Sequence, residues 1–470
     1  MTTERRLIVM SNRVNVPTAR DEGAAGGLAM ALTSALREYK GIWFGWSGQT
    51  VEKFSGQVQL DRINGVTSAT VDIDEDDYEE YYAGYANRTL WPLFHYRVDL
   101  VDYDRDFDSG YRRVNHRLAR TVNPFIEDDD LIWVHDYHMI PMAAELKALG
   151  RKNAMGFFLH VPWPPRQLFV TLPNHLQLVE ALFAYDLLGF QTHEWLEAFI
   201  DYVVHDAGAV LNKDGTITCF GRTLRAAAYP IGIDAQEFTA MAEGAAGREA
   251  HDMLVASARD RAIVIGADRL DYSKGIEARF AAFETLLEDH EDLHRKVVCV
   301  QIAPPSREDV NTYRRIRETL DSLAGRINGR FSDVDWTPMR YVNRGYSREA
   351  LAGFFRAARV GLVTPLRDGM NLVAKEFVAA QDPENPGVLI LSRFAGASEQ
   401  LSDALLVNPF SIDDLADALH RALSMPLDER KRRNAAMREV IERETVSWWR
   451  DRFVADLASC TRPAAPLKPA

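Results

Sequence analysis

Residues 261–275 read RAIVIGADRLDYSKG. The apolar run Ala262–Ala267 ends in Asp268 and Arg269, and a turn with Lys274 and Gly275 leads into a segment of helical character. A short run that is apolar on both faces suits a buried parallel strand covered by helices. Polar residues delivered at its carboxyl end lie where open α/β sheets bind their ligands.

The same unit recurs outward in both directions. KVVCVQIA, RVGLVTP, GVLILS and ALLVNP follow it, and RLIVMS, DLIWVHD, AMGFFLH, YDLLGFQ and LRAAAYP precede it. Strands alternating with amphipathic segments imply an α/β fold with right-handed crossovers. YPIGIDAQEF, Tyr229 to Phe238, breaks the series with an isolated Pro-x-Gly and reads as a linker. The expectation is two doubly wound, Rossmann-like domains facing across a cleft, residues 1–233 and 234–445. Polar residues sit just past the strands: Asn12 and Arg13, Asp136, His160, Arg269, Arg307 and Asp368.

The 470 residues are ample for two domains. Hydrophobic residues at 47% and charged residues at 26% leave material for real cores. A formal charge of −13 repels polyanions, which argues against general affinity for nucleic acid or anionic membrane. Cys219, Cys299 and Cys460 are far apart and form no C-x-x-C pair, so neither a disulfide framework nor a zinc site is expected, and a cytoplasmic location fits. The start, MTTERRLIVMSNR, reads as a first strand and not as a signal peptide. No apolar run reaches the roughly 18 residues needed to span a bilayer.

Six segments carry candidate chemistry, and most have a plainer reading beside them. In DRLDYSKG, Arg269 and Lys274 meet free helix N–H groups, a site for a diphosphate and for negative charge on a leaving nucleotide; alternatively they are two surface cations. In LRDGMNLVAKEF, residues 366–377, Asp368 and Gly369 form a loop and Glu376 can accept both hydroxyls of a ribose. The backbone of Gly369, Met370, Asn371 and Leu372 offers N–H groups at a helix start; alternatively this is an ordinary solvated helix. Gly26 and Gly27 in GAAGGLAMAL let backbone approach a phosphate or sugar, or make a plain turn. In HDYH, residues 135–138, a metal is disfavoured and Asp136 as acceptor of sugar-hydroxyl hydrogen bonds is preferred. His160, before a Pro-rich turn, is either a site residue or a core histidine. Tyr82 and Trp91 fall in a loop-like stretch, DEDDYEEYYAGYANRTLWP, and either stack on a pyranose or pack in the core. GIWFGWSG, residues 41–48, reads as a buried strand with Trp43 and Trp46 packing.

The ordered set SNR, AGGLA, WFGWSG, EYYAGYANRTLWPLFHY, HDYH, FFLHVPWP, DYDLLGFQT, YPIGID, DRLDYSKG, QIAPPSRED, GRINGR, TPLRDGMNLVAKE and FAGASEQL resembles the trehalose 6-phosphate synthases, retaining glycosyltransferases of glycosyltransferase-B architecture. The resemblance runs over nearly the whole chain. It implies transfer of glucose from a nucleotide sugar, UDP-glucose first, to glucose 6-phosphate, by a front-face mechanism without metal or cofactor. Asp136, His160, Arg269, Lys274 and Asp368 then form the catalytic set. Donor contacts fall to Gly26, Gly27, Arg269, Lys274, Tyr346, Asp368, Gly369, Met370, Asn371, Leu372, Val373, Ala374, Lys375 and Glu376. Acceptor contacts fall to Arg13, Tyr82, Trp91, Asp136 and Arg307, the two arginines on the phosphate. A terminal helix, about 446–470, is expected to cross back to the first domain. Small-molecule substrates are the implied partners, with self-association left open. Trp163 and the Arg166–Gln167 pair depart from the family pattern. Rival readings are a relative using another phosphorylated acceptor, such as glycerol 3-phosphate, and a silent sugar-phosphate sensor; the latter would have lost Arg269, Lys274 or Glu376.

Overall fold

The computed structural model describes residues 5–14, 36, 41–63, 66–305 and 311–460. The described residues divide into two compact units, one holding those up to Ile231 together with 447–460, the other Gly232–Val446. Each of the ten apolar runs becomes a strand.

In the first unit the strands are β1 (Leu7–Arg13), β2 (Ile42–Val51), β3 (Val58–Ile63), β4 (Val66–Asp74), β5 (Leu131–His135), β6 (Met155–Phe158), β7 (Leu187–Phe190), β8 (Val210–Leu211), β9 (Ile217–Cys219) and β10 (Arg222–Ala228). They form one sheet in the order β3-β4-β2-β1-β5-β6-β7-β10-β9-β8. The centre, β4 to β10, is parallel, and β3, β9 and β8 are added antiparallel at the edges. The edge strands β3, β8 and β9 and the parallel strand β4 escaped the sequence reading, because they are partly exposed and lack unbroken apolar runs.

The second unit holds β11 (Ala262–Ala267), β12 (Val297–Ile302), β13 (Met339–Val342), β14 (Val360–Val363), β15 (Val388–Ser392) and β16 (Leu405–Val407), all parallel, in the order β13-β12-β11-β14-β15-β16. Both sheets are doubly wound. The chain builds outward from β1 through β2, then returns to place β5 on the other side of β1. It likewise builds from β11 through β12 and β13, then places β14 on the other side of β11. Each sheet therefore has one switch point, β1/β5 and β11/β14, where crossovers leave in opposite directions and a crevice opens at the strand ends.

The stretch read as loop-like is helical. Asp74 caps a helical turn, Glu75–Asp77, that runs into a wide π-helix, Tyr78–Leu90, and a last turn, Trp91–Phe94. Trp91 N–H reaches back five residues to Ala86 O. Its many tyrosines obscured the period: Tyr81 and Tyr85 are buried, while Tyr78 and Tyr82 are only partly so. π-turns of this kind recur at functional sites.

The helix Val446–Ser459 packs within the first unit. Phe453 lies stacked on Trp133, centroids 4.6 Å apart, and Trp449 is 4.9 Å from the same indole. Gly156 and Gly189, on neighbouring strands, make the room: a Cβ on either would come within 2.8 Å of the Phe453 ring. Among the described residues no helix is long and apolar enough to cross a membrane, and the three cysteines are free thiols.

Phe453 is fully buried. Phe453→Ala is expected to lower the unfolding free energy of the first unit by about 3–5 kcal/mol, the usual cost of emptying a core phenylalanine site. Urea unfolding followed by tryptophan fluorescence reads this directly; a change below about 1 kcal/mol would show that the terminal helix adds little to that core.

Candidate active site

In each unit several of the described candidate residues lie at or beside its own switch point. In the first, β1 ends in Asn12 and Arg13. Asn12 Oδ1 accepts from Tyr81 O–H at 2.7 Å, which ties the strand end to the π-helix. The Arg13 guanidinium carbon lies 5.4 Å from the Trp46 ring centre. Trp46 in turn meets Tyr82 edge-on at 5.3 Å, and Tyr82 stacks on His138 at 6.1 Å. The aromatic run continues from His138 to Tyr137 at 4.0 Å and from Tyr137 to Trp91 at 6.0 Å. Arg13, Tyr82 and Trp91 are thus linked by one chain of rings. Trp91 is the most buried of them, 6% exposed and packed on His95.

Asp136 follows β5 with φ of 72°, a left-handed conformation unusual for a residue with a Cβ. Its N–H donates to Phe158 O at 2.8 Å and its Oδ1 accepts from His160 N–H at 3.3 Å. The ends of β5 and β6 are therefore tied to each other. His135, the last residue of β5, is fully buried, and its Nδ1 lies 3.0 Å from His160 Nε2. Burial pushes the imidazole of His135 well below its ordinary pKa and that of His160 down to about 3. Both rings are neutral near pH 7. His135 thus partners His160, not His138. Among the described residues no three His, Cys, Asp or Glu side chains are placed to hold a metal ion.

In the second unit the loop after β11 is held from beneath. Arg279, 1% exposed, donates to Asp268 Oδ2 at 2.5 Å, Thr364 Oγ1 at 2.9 Å and Lys274 O at 2.9 Å. It joins the ends of β11 and β14 to the turn bearing Lys274. Gly275 closes that turn at φ 66°, and a Cβ there would sit 2.5 Å from Thr364 O. Lys274 Nζ meets Asp368 Oδ2 at 2.5 Å, and Asn371 Nδ2 donates to the same oxygen at 3.1 Å. Asn371 also caps the helix Leu372–Ala380 through its Oδ1, with φ of 76°. Arg269 is 43% exposed at its side chain, 3.8 Å from Asp271.

The Leu372–Glu376 segment splits by side chain. Lys375 is turned inward, 1% exposed, with Nζ 2.6 Å from Gln400 Oε1, and burial lowers its pKa to about 7 against the opposing pull of Glu444. Met370 and Ala374 are buried as well, so these three face a ligand by backbone only. Glu376 differs: burial raises its pKa, Arg348 partly offsets this, and its carboxylate makes no hydrogen bond to another described residue. Tyr346 lies after β13, at the edge of the sheet, taking hydrogen bonds from Arg344 at 3.0 and 3.1 Å. Gly26, Gly27 and Arg307 lie outside the described residues.

Trp163 and Arg166 have partners of their own. Trp163 is 1% exposed, packed against Phe169 and Phe199, and Arg166 pairs with Asp206 and Asp201 at 3.3 and 3.5 Å. Conversely, the sequence reading passed over Arg279 and gave Trp46 a packing role alone. Arg279 was legible as a charge on the apolar face of Ile276, Phe280 and Phe283; Trp46, as an aromatic late in a strand beside β1.

The family model described as glycosyltransferase family 20 matches residues 5–459. The chain is 46% identical to the trehalose-6-phosphate synthase of Cronobacter sakazakii over 463 residues, 98% of this chain and 96% of that one. A solved alpha,alpha-trehalose-phosphate synthase (UDP-forming) from Burkholderia xenovorans, in complex with glucose-6-phosphate, superposes with a TM-score of 0.93 at 51% identity, over 96% of this chain and 99% of that one. A trehalose-6-phosphate structure from E. coli bound with UDP-2-fluoro glucose gives 0.92 at 45% identity, over 96% and 99%.

The two neutral histidines make stability pH-dependent. Their folded pKa values lie below the unfolded value of about 6.5, so between the two the unfolded chain binds more protons. Stability is therefore complete above that range and is lost as pH falls through it. From pH 6.5 to 5.5 the pair is expected to remove about 2 kcal/mol, and His160→Gln to keep roughly half of that loss. Urea unfolding across this interval checks both; a profile unaltered by His160→Gln would contradict the buried neutral ring.

Proposed function

The chain belongs to glycosyltransferase family 20, and from that membership we propose which of its residues hold each substrate. The reaction is transfer of glucose from UDP-glucose to glucose 6-phosphate, giving α,α-trehalose 6-phosphate and UDP. The first unit, to about residue 233 with the terminal helix, takes glucose 6-phosphate; the second, to about residue 445, takes UDP-glucose. One observation carries this reading: several of the described candidate residues of each unit lie at or beside the switch point of its own sheet, Arg13 with Asp136 at β1/β5 and Lys274 with Asp368 at β11/β14.

Arg13 and Arg307 hold the acceptor phosphate, Tyr82 and Trp91 flank the sugar, and Asp136 accepts from its hydroxyls. Arg269 and Lys274 neutralise the diphosphate, where negative charge grows as the bond to the anomeric carbon breaks. Gly26, Gly27 and the backbone from Gly369 to Lys375 surround the donor, with Tyr346 near its base. Glu376 takes the ribose hydroxyls; its carboxylate, which makes no hydrogen bond to another described residue, supports this. His160 stands beside the transferred glucose.

The donor is an α-glucoside and the product linkage is α, so configuration is retained. Double displacement needs a carboxylate free to attack the anomeric carbon, with a second carboxyl nearby. Asp368 is committed to Lys274 and Asn371, and Asp136 to His160 N–H. This favours front-face transfer, in which the acceptor hydroxyl attacks on the leaving group's side and a donor phosphate oxygen takes its proton. Positioning and phosphate electrostatics then supply most of the rate. The setting is the cytoplasm, consistent with three free thiols, and neither nucleic acid nor a membrane takes part.

Incubation with UDP-glucose and glucose 6-phosphate, with the product identified by NMR, tests the reading as a whole. Lys274→Ala is expected to lower kcat/KM by about 10²–10³-fold, the usual cost of losing one transition-state donor. Arg13→Ala should mainly raise the KM for glucose 6-phosphate. A variant at Arg13 that weakened only UDP-glucose would reverse the assignment of the two units.

A further inference from the structure

Four adjacent parallel strands of the first unit, β5, β6, β7 and β10, each end in a member of one hydrogen-bonded series. Ile231 N–H, three residues past β10, donates to Gln191 Oε1 at 3.0 Å. Gln191, directly after β7 and 2% exposed, has its Nε2 3.3 Å from His160 Nδ1. His160 Nε2 lies 3.0 Å from His135 Nδ1. The series crosses the carboxyl edge of the sheet from Ile231 to His135.

Its direction follows from one fixed end. A backbone N–H can only donate, so the atom of Gln191 facing Ile231 is the carbonyl oxygen and the atom facing His160 is the amide nitrogen. An amide nitrogen can only donate, so His160 Nδ1 accepts. A neutral imidazole carries one proton, which must then sit on His160 Nε2 and point at His135 Nδ1. By the same step the proton of His135 sits on Nε2. That atom is buried and has no hydrogen-bond partner among the described residues, where the ring packs on Trp133 at 4.5 Å.

We infer that Gln191 is a positioning residue: anchored by the backbone at Ile231, it fixes the tautomers and orientation of both His160 and His135. His160 then offers neither a basic nitrogen nor an adjustable proton to the sugar, because each ring nitrogen is engaged within the protein. It acts as a neutral, immobile wall whose backbone N–H holds Asp136. Ile231 is the last residue before the chain enters the second unit, so the same amide ties this wall to the start of the connecting segment. The catalytic consequence rests on the proposed place of His160 beside the transferred glucose; the tautomer assignment does not.

Nitrogen-15 NMR of the full chain labelled at histidine, assigned by single His→Gln replacements, tests this. Wild type is expected to show an unprotonated Nδ1 and a protonated Nε2 for both His135 and His160. A His160 protonated on Nδ1, or averaging between tautomers, overturns the inference. Gln191→Glu preserves shape but presents acceptors on both sides, so both rings are expected to switch to Nδ1–H. A correctly folded Gln191→Glu protein with unchanged tautomers also overturns it. In kinetics, both nitrogens of His160 stay engaged within the protein in either tautomer, so Gln191→Glu is expected to keep kcat and both KM values within roughly a factor of three. A fall in kcat of about tenfold or more with switched tautomers would show that a ring proton of His160 is used by the sugar; it would overturn the immobile wall and leave the tautomer control standing, so the two claims fail separately.

Discussion

A doubly wound parallel sheet can reverse direction only once, and the strands flanking that reversal are the only neighbours whose following loops diverge. This constraint decides where the rest of the chemistry sits. In the second unit it brings Lys274 and Asp368 within 2.5 Å although 94 residues separate them in sequence. In the first it places Arg13 and Asp136 past adjacent strands. Helices cover both faces of such a sheet, so its interior is apolar and its polar residues are forced to the strand ends. The sites are a by-product of how the sheets are wound.

The charges at the two switch points are treated differently. Lys274 is matched by Asp368, and the buried Arg279 beneath hydrogen-bonds to Asp268, the Lys274 carbonyl and Thr364, which joins the loop to the end of β14. A guanidinium removed from water is costly unless paired and hydrogen-bonded; Asp268 supplies the pairing. In the first unit, by contrast, His135 and His160 give up charge altogether. A neutral pair costs less to bury than an ion pair.

What the sequence disclosed follows the same physics. The runs legible as strands were those apolar on both faces, such as Ile263–Ala267, since their shortness and flanking polar or breaking residues suit a buried parallel strand better than a helix. Edge strands such as Val58–Ile63 carry charge and exposure and look like loop. Tyr78–Leu90 was misread because a π-turn has neither the helical period of 3.6 nor the strand period of 2, and its tyrosines fit both. The placement of single candidate residues was legible where a strand ended in charge, as at Arg13, Asp136, Arg269 and Asp368. Side-chain direction was not: Glu376 and Lys375 are neighbours in sequence, yet one makes no hydrogen bond to another described residue and the other is drawn to Gln400. Partnerships between distant strand ends, such as His135 with His160, have no local signature.

In each unit a glutamine, buried at Gln191 and half-buried at Gln400, joins a candidate residue to the connecting segment. Gln400 accepts from Lys375 and donates to Glu444, two residues before the chain leaves the second unit; Gln191 accepts from Ile231, where the chain leaves the first, and donates to His160. An amide carries a donor and an acceptor in one rigid plane, so it matches a donor-only group on one side to an acceptor on the other without adding charge. A carboxylate in either position would place two acceptors where one donor is required. Beside Lys375, whose burial already costs enough to bring its pKa to about 7, an amide keeps the local charge at the single lysine–glutamate pair. Beside His160 it dictates which nitrogen holds the proton. The segments by which the chain passes between its units are thereby pinned to the helix of Lys375 on one side and to the histidine pair on the other.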